Sequence, residues 1–339
     1  MMTPHCIACA AVMQIRYRDM YDDRYGHPGL FDIYGCPSCG QAQTTPLLKD
    51  EDLSSLYGTY YPRRVIDVDA LVKQVGTPAA SEAVCRRRRE GTDNQGQYLA
   101  RLGMTVLDYG CGAGASLMEA AALGADAYGI EADPNVKQVV DALGLRIHIG
   151  TLDDFPHKDL KFDLIVLNQV LEHIPDPTGL LARLAEMLKP EGKLVLAVPN
   201  VGSVFARFFK QAWINWHIPY HLHHFNPDSI RLFLEHCGWR VVSARTITPN
   251  LWTVLQCRAA VETTTSGRPN PMWTGEPVSE GTPSPGKPSW LLGRLHKFAL
   301  TASHPKRYAA LTFFNRTIDR MGWGDSLLVE AVPASRPRS

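Results

Sequence analysis

A glycine-rich turn at residues 110–114 constrains the fold of this chain more than any other feature. The apolar run 104–107 predicts a short buried strand that ends in Asp108, and the helix-forming segment 116–121 follows the turn. Glycine permits positive φ and lets a ligand approach the backbone closely, while the free N–H groups at the start of the helix face the same space. The pattern therefore predicts a strand, a turn and a helix that together bind a ligand.

The segments after the turn indicate the ligand and the family. A second predicted strand ends in Glu131, whose carboxylate suits the two hydroxyls of a ribose. The run 162–168 leads into Val-Leu-Glu-His-Ile-Pro-Asp-Pro at 170–177, and Lys-Pro-Glu-Gly-Lys at 189–193 precedes another apolar run. In this order the segments resemble the class I S-adenosylmethionine-dependent methyltransferases over roughly residues 80–250. An NAD(P)-binding protein, the alternative for the turn alone, does not explain the later segments.

The resemblance implies an α/β fold, a Rossmann-like doubly wound sheet of seven strands in which six are parallel and the seventh is antiparallel. The predicted strands are 104–109, 127–131, 145–149, 162–168, 193–199, 240–247 and 325–332. A Thr-, Ser-, Gly- and Pro-rich stretch at 262–289 predicts a flexible excursion. We therefore expect three parts: a small zinc-binding β module with a linker, a methyltransferase domain, and a flexible and helical insertion before the last strand. Their expected ranges are 1–61, 80–260 with 324–333, and 261–323.

The resemblance places an S-adenosylmethionine site at the carboxyl ends of the strands. Asp108 is expected to anchor the methionine ammonium group, and Glu131 is expected to hold the ribose diol. Asp153, with Asp154 as its competitor, is expected to accept from the adenine amino group; the alternative for each acid is an ordinary surface carboxylate. The full expected cofactor set is Asp108, Tyr109, Gly110, Cys111, Gly112, Gly114, Glu131, Asp153, Asn168 and Gln169.

Histidines supply the candidates for a general base, which an oxygen or nitrogen acceptor needs if its proton must be removed. The candidate catalytic residues are His173, Tyr220, His221, His223 and His224. His173 also has a purely structural interpretation as a helix residue. The cluster at 220–224 follows an aromatic segment, 205–216, that is either a lid over the acceptor or ordinary core.

The histidine cluster also bears on the reaction. Sugar C-methyltransferases with an N-terminal zinc module carry a similar Tyr-His-Glu-His motif, but Leu222 stands here in place of the glutamate. We therefore favour O-methylation of a small-molecule hydroxyl, such as a sugar or secondary metabolite, free or carried on a lipid. Sugar C-methylation stays open, N-methylation less so, and a non-catalytic cofactor-binding scaffold is the alternative of a different class.

Two C-x-x-C pairs near the N-terminus predict a metal site. Cys6 and Cys9 form one pair and Cys36 and Cys39 the other, and two such knuckles complete a closed tetrahedral zinc site. A redox pair is the alternative, but no βαβ pattern surrounds it. The site has no open coordination position, so we expect a structural zinc that supplies folding energy to a module too small to fold by burial alone.

Composition limits the remaining classes. A formal net charge of +1 argues against general nucleic-acid binding. The sequence has no apolar run of bilayer-spanning length and no signal pattern, so a cytoplasmic location with reduced or metal-bound cysteines is expected. The Arg86–Arg89 run predicts a solvated helix face. The tyrosines at 57–61 either cover the active-site mouth or pack in a linker, and the amphipathic segment 290–300 either contacts a membrane or packs on the fold.

Overall fold

The computed structural model describes residues 3–62, 66–75, 95–262, 264–275, 290–301 and 304–334. The arginine run at 86–89, predicted to form a solvated helix face, lies outside these ranges. A sheet of seven strands forms the body of the protein, and a smaller antiparallel sheet stands at its N-terminal side. The two predicted β units are therefore both present.

The strands of the large sheet match the predicted positions. They are β4 (Thr105–Tyr109), β5 (Asp126–Glu131), β6 (Ile147–Ile149), β7 (Phe162–Asn168), β8 (Leu188–Pro199), β10 (Trp239–Ile247) and β11 (Ser326–Pro333). Their order across the sheet is β10-β11-β8-β7-β4-β5-β6. Neighbours from β8 to β6 are parallel, whereas β11 runs antiparallel to both β8 and β10. The predicted seven-stranded sheet with an antiparallel last strand is confirmed.

Helices separate many of these strands along the chain. They are α3 (Ala115–Ala122), α4 (Lys137–Leu143), α5 (Pro177–Glu186), α6 (Val204–Phe209), α7 (Pro227–His236), α8 (Asn250–Ala259), α9 (Pro271–Thr274), α10 (Trp290–Leu300) and α11 (Pro305–Arg320). α7 begins where Asn226 caps Ser229 through a capping box with Pro227 in the first turn. Its buried residues Ile230, Phe233 and Leu234 join the main core.

The smaller sheet draws on two distant parts of the chain. Its strands β1 (Gln14–Tyr21), β2 (Leu30–Gly35) and β3 (Ala42–Thr45) come from the N-terminal region, before helices α1 (Asp50–Thr59) and α2 (Val68–Val75). The fourth strand, β9 (His223–His224), comes from the methyltransferase-like region and pairs with β3. The two regions thus share one sheet.

Part of the predicted flexible excursion is folded against the N-terminal region. Asn270 caps α9, and its backbone N–H donates to the Arg24 carbonyl at 2.8 Å. The Tyr21 hydroxyl donates to the Thr264 carbonyl at 2.7 Å, and Tyr25 forms a β-bridge with Pro269. The segment 262–289 has few apolar residues, which is why the sequence predicted a flexible excursion. These hydrogen bonds and the β-bridge hold its described part in place without apolar burial. Residues 276–289 lie outside the described ranges.

No helix in the described part of the chain is both long enough and apolar enough to cross a bilayer. The amphipathic segment forms helix α10 as predicted, and it packs beside α8. Trp290, at its start, is exposed.

Candidate functional site

The glycine turn adopts the backbone that its sequence predicts. Gly110 and Gly112 have φ of +77° and +53°, and Gly114, with φ of +79°, precedes α3. A Cβ on Gly110 would lie 2.5 Å from a methyl group of Val170, so only glycine fits there. A Cβ on Gly112 would meet no described atom within 4 Å, so the space above this residue is open to a ligand.

Glu131 lies beside this turn, at the carboxyl end of the neighbouring strand. One carboxylate oxygen accepts from the Gly112 N–H at 2.8 Å, and the other accepts from the Asp133 N–H at 2.9 Å. Asp108 is buried, with 3% of its surface exposed, at the end of β4. Tyr109 and Cys111 flank the turn, and burial raises the pKa of each. Two carboxylates and a run of open backbone therefore meet at one edge of the sheet.

The two candidate adenine ligands point to different partners. Asp154 accepts from the backbone and hydroxyl of Thr151, and these bonds hold its pKa well below the usual range. Asp153 is largely exposed and forms an ion pair with Arg183 at 2.8 Å. Contact of either side chain with an adenine ring stays a prediction.

Asn168 and Gln169 end strand β7. The Asn168 side chain accepts from the Gly96 N–H and donates to Gln97, both at 3.0 Å, so it ties residues 95–99 to the sheet. Gln169 has φ of +57°, a conformation that side-chain-bearing residues rarely adopt. Backbone strain of this kind is common at functional sites. Direct contact of either side chain with a cofactor stays a prediction.

A buried cluster of histidines and tyrosines follows β7, next to Val170 and the glycine turn. The rings of His173 and His221 are 4.5 Å apart and perpendicular, and His217 lies 4.8 Å from His221. Tyr220 stacks on His217 at 4.8 Å. The Tyr57 hydroxyl is 2.9 Å from Nδ1 of His173. The sequence placed His173, Tyr220 and His221 among the candidates, and the structure brings these three together.

The N-terminal region supplies one wall of the cluster. Tyr25, Tyr57 and Tyr61 surround Tyr220, with ring centroids 5.2–5.6 Å from it. The linker tyrosines Tyr57 and Tyr61 therefore pack against the cluster. That they cover the mouth of an active site stays a prediction. Burial raises the pKa of Tyr25 to about 12 and that of Tyr57 further, so both stay neutral.

Burial keeps the histidines of this region uncharged. It lowers the pKa of His173 and of His223 to about 4, and the pKa values of His217, His221 and His224 fall well below the ordinary value. A neutral imidazole has one nitrogen with a free lone pair. Each of these rings is therefore neutral at pH 7 and has one nitrogen that can bind a cation or accept a hydrogen bond.

His223 and His224 occupy a different position from His221. They form β9, opposite Gln43 and Ala42. His224 lies 3.1 Å from the Thr44 hydroxyl, and the ring of His223 lies near Phe225. The backbone of these two residues adds the fourth strand to the small sheet, a role that the sequence did not reveal.

Two members of the cluster were missed as site residues. Glu172 is completely buried, and neither carboxylate oxygen has a hydrogen-bond partner among the described residues. Burial raises its pKa to about 8. His217 is buried with φ of +40°. The Leu-Glu-His segment was visible in the sequence, but an acid next to a histidine gives no sign that it will be buried without a counter-charge.

The aromatic segment before the cluster belongs to the core. Trp213 and Trp216 are 1% and 2% exposed, and their ring centroids are 5.2 Å apart. The indole N–H of Trp213 donates to Asp325 at 2.8 Å. Of the two sequence interpretations of this segment, a lid or core, the structure supports core packing for these two residues.

The four N-terminal cysteines converge. Their sulfur atoms all lie within 4.8 Å of one another, and three of the pairs are 3.5–3.6 Å apart. Sulfur atoms bound at about 2.3 Å around a tetrahedral ion would be separated by about 3.8 Å, so the arrangement fits zinc closely. The separations are also far longer than the ~2.05 Å of a disulfide. The cysteine cluster is therefore compatible with the predicted zinc-ribbon module.

Comparison with known proteins agrees with the fold and the glycine turn. Residues 84–244 match the family model described as a methyltransferase domain. The predicted resemblance to class I S-adenosylmethionine-dependent methyltransferases is confirmed for this region.

Curated relatives are similar to part of the chain. A ubiquinone biosynthesis O-methyltransferase of Xanthomonas oryzae pv. oryzae (strain PXO99A) is 34% identical over 105 residues, which cover 29% of this chain and 44% of that protein. Its counterpart in Xanthomonas axonopodis pv. citri (strain 306) is 30% identical over 149 residues, covering 40% and 62%. The chain thus spans less than two thirds of the length of these relatives.

Solved structures give weaker matches. A sarcosine dimethylglycine methyltransferase from Galdieria sulphuraria, described as putative, aligns with a TM-score of 0.44 at 14% identity over 76% of this chain and 87% of its own. An S-adenosylmethionine-dependent methyltransferase from Archaeoglobus fulgidus aligns with a TM-score of 0.41 at 16% identity, over 77% and 96%.

Proposed function

We propose that the protein binds S-adenosylmethionine at the glycine turn and transfers its methyl group to a small-molecule acceptor. The observation that carries this proposal is the bond between the Gly112 N–H and Glu131. It places an acid at the end of the second strand against open backbone at the end of the first, as a bound nucleoside requires. The family match over residues 84–244 supports it.

The reaction needs alignment more than covalent help from the protein. An acceptor atom attacks the methyl carbon in line, and the carbon–sulfur bond breaks with its electron pair going to sulfur. Holding donor and acceptor in this geometry supplies much of the rate enhancement. The acceptor meets the methyl group beside Val170, because this residue contacts the turn and leads into His173.

We propose a hydroxyl as the acceptor, so that the product is a methyl ether. The relatives' names describe O-methyltransferases, which supports this choice. A neutral hydroxyl must lose its proton during the transfer, and His173 and His221 lie where they can assist this step. Aromatic walls formed by Tyr57 and Tyr220 suit a sugar ring or an aromatic scaffold. We also propose that the acceptor is carried on a lipid and that α10 contacts the membrane surface peripherally.

We propose that zinc fills the four-cysteine cluster and acts structurally. The donor set is closed, with four thiolates and no position for substrate. Cys6, Cys36 and Cys39 are buried against the main core. The ion would therefore hold the small sheet, and with it the tyrosine wall, on the methyltransferase region.

Calorimetry tests the cofactor assignment. We expect S-adenosylmethionine to bind and NAD(P)H not to bind. Asp108→Ala should weaken cofactor binding by about 1–3 kcal/mol, because it leaves a polar group of the ligand without its partner. Tight NAD binding would overturn the assignment. Binding of S-adenosylmethionine without turnover of any hydroxyl or sugar acceptor would favour the scaffold alternative, and a methylated carbon in the product would favour a C-methyltransferase.

A further inference from the structure

We propose a second metal site, in which Glu172, His173 and His221 bind a divalent transition-metal ion such as Zn²⁺ or Co²⁺. One ligand atom from each of the three residues lies within 4.8 Å of the others. Two histidines and one carboxylate form a common donor set for such ions. The site is distinct from the four-cysteine cluster, because it offers nitrogen and oxygen ligands only.

The hydrogen bonds of the two histidines orient them for this role. Nδ1 of His173 lies 3.0 Å from the carbonyl oxygen of Tyr220, and Nδ1 of His221 lies 2.9 Å from that of Asn215. A carbonyl oxygen only accepts, so these contacts assign the proton to Nδ1 in both rings and leave the lone pair on Nε2. The Tyr57 hydroxyl, 2.9 Å from Nδ1 of His173, then accepts from the same N–H. Histidines that bind metals almost always donate their other ring N–H to a carbonyl or carboxylate in this way.

Glu172 provides an independent reason for a cation. Its side chain is fully buried, and neither oxygen has a hydrogen-bond partner among the described residues. No described lysine or arginine forms an ion pair with it. A buried carboxylate is costly unless it is paired, hydrogen-bonded or bound to a metal. A cation bound by one nitrogen of each ring and by this carboxylate would satisfy all three groups.

The ligand positions require little adjustment. A metal with bonds of about 2.0–2.2 Å separates its ligand atoms by roughly 3–4 Å, so small side-chain rotations close the set. The backbone fixes the two contributing segments together, because the Leu222 N–H donates to the Glu172 carbonyl at 2.7 Å. The site is therefore largely formed before an ion arrives.

The use of this ion rests on the proposed function. A hydroxyl bound to the cation has a lowered pKa. Its proton could then pass to Nε2 of His217, which is buried without a hydrogen-bond partner among the described residues. The oxygen would attack the methyl carbon while sulfur takes the electron pair of the breaking bond. In this arrangement His173 and His221 would hold the ion and would not take the proton themselves.

Titration of the metal-free protein, with all 339 residues present, with Co²⁺ tests the site without cofactor or acceptor. We expect two equivalents to bind, one with thiolate-to-metal charge-transfer absorption from the cysteines and one with only weak ligand-field bands. Glu172→Gln, of nearly the same size, should bind one equivalent and keep the thiolate signal, which also reports that the N-terminal region is folded. Glu119→Gln, at another buried glutamate, is the matched control and should bind two.

Two results would overturn the proposal. Wild-type protein that binds a single equivalent has no second site, and Glu172→Gln that still binds two locates the second ion elsewhere. His221→Asn provides a second variant in case Glu172→Gln loses the thiolate signal. Because no cofactor is present in the titration, failure of the metal site is distinguishable from failure of methyl transfer, which calorimetry with S-adenosylmethionine tests separately.

Discussion

Replacement of Asp325 by alanine should destabilise the fold more than replacement of Glu330, the acid within β11. Asp325 is 1% exposed and accepts three side-chain hydrogen bonds. The donors are the Ser203 hydroxyl at 2.7 Å, the Trp213 indole N–H at 2.8 Å and the Asn215 amide at 3.0 Å. This carboxylate connects the start of the last strand to the segment that leads into the histidine cluster.

The loss of stability follows from the hydrogen-bond donors that the replacement leaves without an acceptor. Each buried donor left without a partner costs about 1–3 kcal/mol. The Ser203 hydroxyl can turn to another acceptor, but the indole of Trp213 and the amide of Asn215 are held in place, so we expect a loss of roughly 2–6 kcal/mol. The total free energy of unfolding of a typical domain is only about 5–15 kcal/mol. Urea unfolding followed by tryptophan fluorescence measures the change.

Glu330→Ala is the matched control, because Glu330 is an acid on the same strand. It is partly exposed and bonds to Lys193 at 3.1 Å. Such a pair contributes about 0–1 kcal/mol. A similar, small destabilisation in Asp325→Ala and Glu330→Ala would refute the reasoning.

The same residue should give stability a pH dependence. Burial raises the pKa of Asp325 to about 7, above the 3.8 of an aspartate side chain exposed to water in the unfolded chain. The folded protein then holds a proton that the unfolded chain has lost, so this contribution is complete below pH 3.8 and is lost as the pH rises through 7. From pH 5 to pH 8 the wild type should lose about 2–3 kcal/mol through this group. Asp325→Asn should lack this slope, and equal slopes in the two proteins would contradict the assignment.

Three further predictions concern the cofactor, the zinc and the acceptor. Glu131→Ala should weaken S-adenosylmethionine binding by about 1–3 kcal/mol in calorimetry, whereas Asp126→Ala, at the opposite end of the same strand, should leave it unchanged. Cys36→Ser should remove or greatly weaken the binding of zinc by the four-cysteine cluster, as measured by elemental analysis of freshly purified protein. Cys237→Ser should retain one zinc in that cluster. Wild-type zinc content in Cys36→Ser would exclude this residue as a ligand. Tyr57→Phe should lower kcat about 2- to 10-fold through the loss of one hydrogen bond near the acceptor, with cofactor affinity unchanged, and wild-type kcat would remove the residue from the acceptor site.

Periodicity and turn chemistry were sufficient to predict the large sheet. Its strands are runs of apolar residues bounded by glycine, proline and acids, and the helix at 177–186 follows an Asp-Pro start. These signals are local. Each predicts the observed element because the neighbouring residues favour the same secondary structure. The glycine turn was predictable for the same reason, since positive φ at Gly110 and Gly112 is a local property.

The contacts of the candidate site were less predictable, because they depend on residues far apart in the chain. Tyr57 and His173 are 116 positions apart, and nothing in either segment indicates that their side chains meet. The pairing of β9 with β3 is of the same kind. A strand of two residues is too short to show alternation, so His223 and His224 appeared in the sequence as part of one histidine run with His221.

The shared sheet means that residue 62 does not separate two independently removable units. Strand β9 takes its backbone partner from β3, the Asn226 amide donates to the Cys39 carbonyl at 2.9 Å, and the Thr44 hydroxyl donates to the His221 carbonyl at 2.6 Å. A chain shortened to begin after residue 62 would therefore expose an unpaired strand edge and open the acceptor wall in the same event. Transplanting the cysteine-bearing region onto another methyltransferase would succeed only if residues 217–226 moved with it.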